Sequence, residues 1–366
     1  MTEFAPKIAV ALSGGIDSLT AAFLLRQNEE EVIGIHFRTG YEPYPESRSR
    51  AKAEALSRLL GIPVYFENLH REFQRVVVDD FVSGYRAGLT PNPCVVCNPE
   101  IKFGVLLDRA RRHGAGRLAT GHYAAVRRDL SGRFRLYKGK DTAKDQSYFL
   151  FALRQEQLAR ACFPLAQMTK QEVCLLAAEK RLEPLEKEES QDVCFIAGEE
   201  YTEFLQRCEP GILQPGPITT PDGRVIGEHP GIAAFTIGQR RGIQCPAAAP
   251  YYVVRKEPDT RRLVVGHRED LYAAGCRVVR VNWVALRPEG PRSAGVRLRY
   301  RSPETAARLV PSSPDFSEMD VFFDSPQPAV APGQAAVFYE GDEVLGGGFI
   351  ASTYPAGPVS PPPGKS

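Results

Sequence analysis

Apolar and polar positions alternate in blocks over the first half of the chain. Short apolar runs, typical of buried parallel strands, are followed by stretches in which apolar residues recur at helical spacing. The predicted strands cover residues 8–12, 32–37, 64–66 and 117–120, and the predicted helices cover 19–25, 47–60, 73–85 and 101–112. This βαβα order predicts an α/β fold with a doubly wound parallel sheet, which binds ligands beyond the carboxyl ends of its strands.

The pattern changes near residue 211, where short apolar strands begin to follow one another between proline- and glycine-rich turns. These strands are predicted at 251–254, 263–266, 278–284, 296–300, 321–323, 335–339 and 348–350. We therefore predict a first domain over residues 1–209, a small central β domain over 210–270, a C-terminal β-barrel over 271–354 and a disordered, proline-rich tail over 355–366.

A polar turn with the sequence SGGIDS separates the first strand from the first helix at residues 13–18. Its glycines let the backbone approach an anion, and the free N–H groups at the start of the helix point towards it. No lysine stands where the nucleotide loop ending in Gly-Lys-Ser/Thr would need one. The turn therefore predicts pyrophosphate binding, and the alternative is an ordinary glycine-rich βα turn.

Composition narrows the class of protein. The 366 residues are 43% hydrophobic and 25% charged, with a net charge of +2, so a nucleic-acid surface would have to come from local clustering. We expect no transmembrane helix, no signal peptide and no membrane partner, and therefore a cytoplasmic location. Eight cysteines in a chain of this length do not indicate a secreted disulfide scaffold. Reduced thiols, metal ligands and catalytic thiols remain open.

Cys94 and Cys97 form a Cys-x-x-Cys pair within residues 88–98, which we predict to be a loop because two prolines disfavour helix and central strand. No second close pair follows, so a zinc ribbon is not expected. Cys194 lies near the end of the first domain, where either burial or catalysis would account for it. Three further cysteines in apolar or helical surroundings are predicted to be small buried residues: Cys162, Cys174 and Cys208.

Polar residues elsewhere suggest ligand contacts or ordinary structural roles. His122 follows the strand predicted at 117–120 and should face the crevice, either as a functional or as a structural histidine. Residues 144–150 are predicted to open a helix with polar capping residues. A predicted strand over 296–300 would put Arg297, Arg299 and Arg301 on one face, where they could bind phosphates.

Taken together, these segments resemble the tRNA-specific 2-thiouridylases, in one order over nearly the whole chain. The matching motifs are SGGIDS at 13–18, TPNPCVVCN at 90–98, IKF at 101–103, ATGHY at 119–123, DQSY at 145–148, SQDVCF at 190–195, TIGQRRG at 236–242, RY at 299–300 and PGQ at 332–334. The resemblance implies an ATP pyrophosphatase domain, a small central β domain and a C-terminal, tRNA-binding β-barrel.

The resemblance also implies the reaction. ATP with Mg²⁺ adenylates the 2-oxygen of the wobble uridine of tRNA, and a cysteine persulfide then supplies sulfur. Cys194 is implied to carry the persulfide and Cys97 to be the partner nucleophile, and the two end as a disulfide that must be reduced. The implied partners are tRNA and a sulfur donor, either a cysteine desulfurase or a sulfur-relay protein. A monomer is favoured, and no metal site is predicted from the motifs themselves.

Binding residues are carried over from the same motifs. The implied ATP-binding residues are Ala11, Leu12, Ser13, Gly14, Gly15, Ile16, Asp17, Ser18, Phe37 and Gly121. The implied tRNA-binding residues are Asn92, Pro93, Cys94, His122, Lys144, Asp145, Gln146, Arg299, Tyr300 and Gln334. The chain departs from many relatives at Cys94, where they carry an aspartate. Cys94, Cys97 and Cys194 could instead hold a [4Fe–4S] cluster as an alternative sulfur carrier.

Two other functions are consistent with parts of the pattern. One is another ATP enzyme with a pyrophosphate loop, such as an amidating synthetase, which would need neither paired cysteines nor a basic β-barrel. The other is a noncatalytic tRNA-binding relative, which would need neither an intact loop nor both Cys97 and Cys194. The sequence leaves open which tRNAs are bound.

Overall fold

The computed structural model describes residues 7–28, 30–185, 193–196, 198–246 and 248–356. The predicted tail from 357 onwards lies outside these residues, as do positions 190–192 of the SQDVCF motif. Within the described part of the chain, none of the helices is long and apolar enough to cross a membrane.

The first half of the chain builds a parallel sheet and a separate hairpin. Its strands are β1 (Lys7–Ala11), β2 (Val32–Arg38), β3 (Val64–Asn68), β4 (Ala115–Ala119), β5 (Ala124–Arg128), β6 (Phe134–Lys138) and β7 (Ala161–Cys162). Five of them form the sheet in the order β3-β2-β1-β4-β7, with every pair parallel. The strand order reverses between β1 and β4, so the ends of these two strands border the crevice where such folds bind ligands.

Helices cover both faces of this sheet. They are α1 (Ile16–Gln27), α2 (Glu46–Leu60), α3 (His70–Phe73), α4 (Asp79–Arg86), α5 (Pro93–Cys97), α6 (Leu107–Arg112), α7 (Gln155–Leu158), α8 (Lys170–Glu179) and α9 (Tyr201–Cys208). Two π-helical segments, Gln74–Val78 and Asn98–Leu106, join α3 to α4 and α5 to α6. Gly61 ends α2 in the left-handed conformation, as its position predicts.

Two local predictions are wrong. Residues 88–98 are not all loop, because α5 begins at Pro93, where a helix does not need the missing N–H and proline's fixed φ suits the first turn. Residues 144–150 do not open a long helix and contain only a single 3₁₀ turn, Ser147–Phe149. The side chain of Asp145 accepts the Ser147 N–H there at 3.1 Å, so the segment is held as a turn.

The second half is β structure, as predicted. The central domain contains β8 (Gly216–Thr219), β9 (Val225–His229), β10 (Tyr252–Glu257) and β11 (Arg262–Gly266), in the order β10-β11-β8-β9. The C-terminal strands are β12 (Tyr272–Trp283), β13 (Arg292–Arg297), β14 (Thr305–Pro311), β15 (Met319–Pro328), β16 (Ala335–Glu340) and β17 (Glu343–Pro355). Pairing of β12 with β17 closes these six strands into a barrel. The predicted fold class is confirmed.

The β5–β6 hairpin joins the two halves. β6 pairs with β17 through Glu343↔Tyr137 and Val344↔Leu136, so a hairpin from the first domain extends the sheet of the barrel. Arg133 fixes this contact, since its guanidinium donates hydrogen bonds of 2.9–3.0 Å to the carbonyls of Trp283, Val284 and Ala285. The donors of the Arg133 guanidinium are therefore used in hydrogen bonds within the protein.

The arginine-bearing strand predicted at 296–300 is shorter than its alternation suggests. β13 ends at Arg297, and residues 298–302 turn. Arg297 is largely buried against Asp145 and Glu304, whereas Arg299 is exposed and donates to the carbonyl of Ala329. Arg297, Arg299 and Arg301 therefore do not form one basic face. That prediction assumed a strand that continues to residue 300, but β13 ends at Arg297.

Candidate active site

The turn after β1 is a closed loop held by its own serines. Gly14 has φ +91°, a conformation that favours glycine, and Gly15 is the N-cap of α1. The Gly15 N–H donates to Ser13 Oγ at 3.2 Å, and Ser18 Oγ donates to the Gly15 carbonyl at 2.9 Å. The loop thus presents the start of α1 towards the crevice, which is the geometry that an anion requires.

Asp17 projects from the first turn of α1, and both of its carboxylate oxygens accept hydrogen bonds. Its two carboxylate oxygens each lie 2.8 Å from Lys170 Nζ, at the start of α8, and Oδ1 also accepts the Tyr123 hydroxyl at 2.7 Å. The carboxylate and burial together raise the pKa of Tyr123, so this phenol remains a donor. The Lys170 ammonium therefore balances the charge of the loop carboxylate, and the Tyr123 phenol donates a hydrogen bond to it.

Residues 120–123, directly after β4, link the loop to a second polar cluster. A Cβ at Gly121 would lie 2.9–3.0 Å from the backbone and Cβ of Asp17 and the Ser18 N atom, so only glycine allows this approach. Gly121 and Tyr123 contact the loop. His122 Nδ1 lies 2.7 Å from Thr120 Oγ1 and its Nε2 lies 3.3 Å from Lys102 Nζ. Gly121 and Tyr123 therefore contact the loop at 13–18, whereas His122 between them contacts Lys102.

The second cluster centres on Lys102 and three thiols. An ammonium group has no acceptor, so Lys102 donates to Nε2 of His122, whose Nδ1–H then donates to Thr120. Burial holds the pKa of His122 well below its ordinary value, which keeps the ring neutral. Burial raises the pKa of Cys94, Cys97 and Cys194, and the positive charge of Lys102 partly offsets that rise at each of them. The structure thus gathers cysteines that are far apart in sequence around one cation.

A π-helical segment explains how Lys102 reaches the thiols. In an α-helix, residues five apart are turned by roughly 140° from one another. Residues 98–106 instead form π-helix, with i to i+5 hydrogen bonds, which bring residue i+5 back over residue i. Cys97 is the N-cap of this segment and Lys102 follows it by five positions, so the π-helical winding turns Lys102 back towards the side on which Cys97 lies.

The thiols are poor nucleophiles at rest. Burial, partly offset by Lys102, raises the pKa of Cys97 to about 12 and that of Cys194 to about 11. Cys94 and Cys194 keep some surface that reaches solvent, but protein atoms crowd the sulfurs enough to disfavour the thiolate. All eight cysteines are free thiols. Cys174 is exposed and Cys162 and Cys208 are only partly buried, so the prediction that these three cysteines are buried is wrong.

This electrostatic state predicts slow alkylation of Cys194. A pKa about two units above the usual value reduces the thiolate fraction near pH 8 by about a hundredfold, and the thiolate is the species that reacts. Iodoacetamide should therefore modify Cys194 much more slowly than exposed Cys174, and the rate should rise with pH until about pH 11. Peptide mass spectrometry follows both sites in one sample. Equal rates at pH 8 would contradict the prediction.

Neither an iron–sulfur nor a zinc ligand set is formed in the part of the chain that the structure describes. There, no group of three or more His, Cys, Asp and Glu side chains is placed to hold a metal ion. Magnesium needs no such group, because it is commonly held by one or two carboxylates together with substrate phosphates. Asp17, at the start of α1, provides a carboxylate suited to that kind of binding.

The segment leading into the thiols is fixed by both β domains. Lys256 of the central domain donates to the Leu89 carbonyl at 3.1 Å, and burial lowers its pKa to about 8. From the barrel, Gln334 Nε2 donates to the Thr90 carbonyl at 2.7 Å, while the Thr90 N–H donates to the Pro332 carbonyl at 2.8 Å. Gln334, predicted to bind tRNA, therefore also positions the cysteine segment.

The other predicted tRNA-binding residues cluster where the first domain meets the barrel. Asn92 hydrogen bonds to Tyr148, and the ring centroid of Tyr300 lies 4.4 Å from that of Phe149. Gln146 accepts the Tyr123 N–H at 3.1 Å. Exposure differs among the remainder: Arg299 and Cys94 are exposed, Lys144 is half-buried, and Pro93, His122 and Asp145 are buried. Phe37 is half-buried at the end of β2.

Asp145 has a clear structural role. Its carboxylate is 1% exposed and accepts hydrogen bonds from Gly139 N, from Ser147 N and Oγ, and from Arg297 Nη1 at 3.1 Å. Asp145→Ala would leave the largely buried Arg297 with Glu304 as its carboxylate partner, so we expect the free energy of unfolding to fall by about 3 kcal/mol. Asp342→Ala, at an 81% exposed carboxylate, should change it little. Equal urea midpoints would contradict this role.

Sequence reasoning missed three residues that lie around the loop at 13–18. Lys170 and Tyr123 bind Asp17, and Lys52 lies against the loop, because a Cβ on Gly14 would meet its Cε at 2.6 Å. Each belongs to an element distant in sequence from residues 13–18. Tyr123 stands in the ATGHY motif, which offered a signal, whereas the two lysines are ordinary helix residues in the sequence.

One cavity of the described structure lies outside this site. It has a volume of about 440 Å³ and is lined by Tyr41, Gln74, Asp79, Val82, Arg86, Arg207, Cys208 and Glu209. None of these residues was predicted from the motifs. The loop at 13–18 and residues 120–123, which the motifs singled out, lie instead at the crevice between β1 and β4.

Comparison with known proteins agrees with the architecture. Family models described as the tRNA methyl transferase HUP domain, the tRNA methyl transferase PRC-barrel domain and the aminomethyltransferase beta-barrel domain match residues 6–198, 202–267 and 273–350. The first of these covers more than half of the chain.

Similar curated proteins carry one name, tRNA-specific 2-thiouridylase. The protein of Desulfosudis oleivorans is 51% identical over 347 residues, which cover 94% of this chain and 95% of that protein. The protein of Geotalea uraniireducens is 43% identical, with 94% of each chain covered, and that of Geobacter metallireducens is 43% identical, with 96% and 98% covered. The resemblance seen in the motifs is confirmed, and the chain belongs to the tRNA-specific 2-thiouridylase family.

Proposed function

We propose that this protein 2-thiolates the wobble uridine of tRNA, using ATP with Mg²⁺ to activate the base and cysteine sulfur to replace its oxygen. One observation carries the proposal. Residues 120–123 contact the ATP loop through Gly121 and Tyr123 and the thiol cluster through His122, so activation and sulfur transfer would share one crevice. The relatives' name supports the substrate.

In the first step, the start of α1 would hold the phosphates of ATP. Free backbone N–H groups of the loop would bind phosphate oxygens, and Asp17 would supply a carboxylate for the magnesium that accompanies ATP. The 2-oxygen of uridine attacks the α-phosphorus, the bond to the β-phosphate oxygen breaks, and pyrophosphate leaves. The 2-oxygen then departs as AMP, a far better leaving group than the free oxygen.

In the second step, a persulfide on Cys194 supplies sulfur. Its terminal sulfur attacks C2 and AMP leaves, which links the base to Cys194 through two sulfurs. The Cys97 thiolate then attacks Sγ of Cys194, releasing 2-thiouridine and forming a Cys97–Cys194 disulfide. A two-electron thiol reductant restores both thiols. Lys102 supports this step, because its charge favours the thiolate at Cys97.

Cys94 lies near Cys97 and Cys194, which raises an alternative to the persulfide as the sulfur carrier. The three thiols act electrostatically on one another, so they lie in one neighbourhood. A [4Fe–4S] cluster held by them would bind sulfur at an open iron. The persulfide route is favoured because the described side chains form no metal-ligand group, whereas a persulfide needs only Cys194 and Cys97.

The partners follow from the reaction. A tRNA anticodon must reach Cys194, which keeps exposed surface, and Arg299 at the edge of the barrel is an exposed cation suited to a phosphate. A cysteine desulfurase or a sulfur-relay protein must load the persulfide, and this too requires access to Cys194.

Nucleoside mass spectrometry tests the proposal. Protein purified without oxygen is incubated with unmodified tRNA, ATP, Mg²⁺, cysteine and a cysteine desulfurase, and the tRNA is digested. We expect 2-thiouridine that depends on ATP and on the protein, together with a sulfur adduct on Cys194. Absence of 2-thiouridine would contradict the function. Stoichiometric iron that is lost with activity in Cys94→Ala would support the cluster instead of the persulfide.

A further inference from the structure

Lys170 is a charged residue of the crevice to which none of the motifs assigns a role. It is the first residue of α8, and its ammonium lies 2.8 Å from each oxygen of Asp17. The pair is well shielded, since the side chains of Lys170 and Asp17 are 16% and 32% exposed. Such a pair has to be broken if Asp17 is to serve a metal-bound nucleotide.

The backbone of Lys170 is fixed while its side chain can move. Its N–H donates to Asp141 Oδ2 at 2.8 Å, and the preceding residue, Thr169, caps α8 in a capping box with Glu172. α8 packs against α1, the helix that carries Asp17. Four methylene groups separate this fixed backbone from the ammonium, so Nζ can change partner without moving either helix.

Charge balance indicates what the new partner would be. An anionic nucleotide is repelled by a bare carboxylate at the start of α1, and Lys170 cancels that charge in this structure. When Asp17 binds magnesium, Lys170 loses its counter-ion beside a polyphosphate. An ammonium group is a strong donor to phosphate oxygens.

We propose that Lys170 is an ATP-site residue that exchanges partners, holding Asp17 before the nucleotide arrives and passing its ammonium to the pyrophosphate oxygens once Asp17 binds magnesium. This inference rests on the proposed use of ATP. At each stage the exchange gives both the Asp17 carboxylate and the Lys170 ammonium a partner of opposite charge, and it leaves a cation on the departing pyrophosphate. No bond is made or broken by Lys170 itself.

Two binding measurements test the exchange. Lys170→Met should bind ATP with Mg²⁺ about tenfold more weakly by calorimetry, because a charge-assisted contact to phosphate is lost. Without nucleotide, the same variant should bind Mn²⁺ more tightly than the wild type by electron paramagnetic resonance, since Asp17 is uncovered. A merely structural lysine would not produce these opposite changes.

Matched variants complete the test. Lys180→Met, at the other end of α8 beside Glu179, should leave both affinities unchanged, and Lys170→Arg should restore ATP binding. Asp17→Asn should remove the gain in Mn²⁺ affinity when combined with Lys170→Met. Circular dichroism verifies that each variant is folded. If Lys170→Met is misfolded, Lys170→Arg and Lys170→Gln are compared instead.

The outcomes separate this inference from the proposed function. A wild-type protein that binds no ATP with Mg²⁺ contradicts both. If the wild type binds ATP and Lys170→Met binds it equally well, only the exchange is overturned. Weaker ATP binding with unchanged Mn²⁺ affinity also overturns the exchange, because Lys170 would then be a fixed phosphate ligand.

Discussion

Cys194→Ser is expected to abolish 2-thiouridine formation and to leave tRNA-dependent pyrophosphate release largely intact. Sulfur transfer needs a sulfur at this position, and a hydroxyl cannot carry a persulfide. Under the proposed function, activation depends on the loop at 13–18, and none of the hydrogen bonds described for that loop involves Cys194. Pyrophosphate release and nucleoside mass spectrometry on the same samples measure the two steps separately. Loss of both activities would contradict the division into two steps.

Cys97→Ser should also abolish thiolation, but at a later stage. The base would be expected to remain attached to Cys194, because the thiolate that releases it is missing, and a covalent adduct should be visible by intact mass. Cys162→Ser and Cys174→Ser are the matched controls and should be nearly silent, since neither thiol belongs to the cluster around Lys102. A fully active Cys97→Ser would exclude the disulfide route.

Asp17→Ala should reduce pyrophosphate release to background. The substitution removes the carboxylate at the start of α1 that would serve magnesium, and Lys170 and Tyr123 lose the acceptor that they share. A pyrophosphate assay with saturating tRNA and ATP measures the effect. Asp342→Ala, a substitution at an exposed carboxylate of the barrel, is the control and should keep wild-type release. Release by Asp17→Ala at the wild-type rate would contradict the ATP-site assignment.

The first domain could be predicted from the sequence because its signals are local. A strand, a turn and a helix that follow one another, as at residues 7–27, carry their pattern within one window. Gly61 ends α2 for the same reason. The prediction that residues 88–98 form a loop was wrong for an equally local reason. Proline disfavours the interior of a helix but is favourable at its first position, and Pro93 is the first residue of α5.

The sequence does not reveal contacts made between distant elements. Arg133 donates hydrogen bonds to three carbonyls of the barrel and β6 pairs with β17, although these partners lie about 150 or more residues away in the chain. Similarly, Lys102 reaches the thiols because its segment winds as a π-helix, which no simple periodicity predicts. The sequence analysis therefore missed contacts that depend on strand pairing between distant segments or on π-helical winding.

The hydrogen bonds between residues 89–90 and the end of the chain affect the order of folding. The parallel sheet contains only residues before 163, so it can form while the ribosome is still translating the barrel. Thr90, however, pairs with Pro332 and Gln334. A nascent chain would therefore complete its nucleotide loop early and its cysteine segment last. Translation that stops short of the barrel should yield a protein that retains nucleotide binding but lacks an ordered site for sulfur transfer.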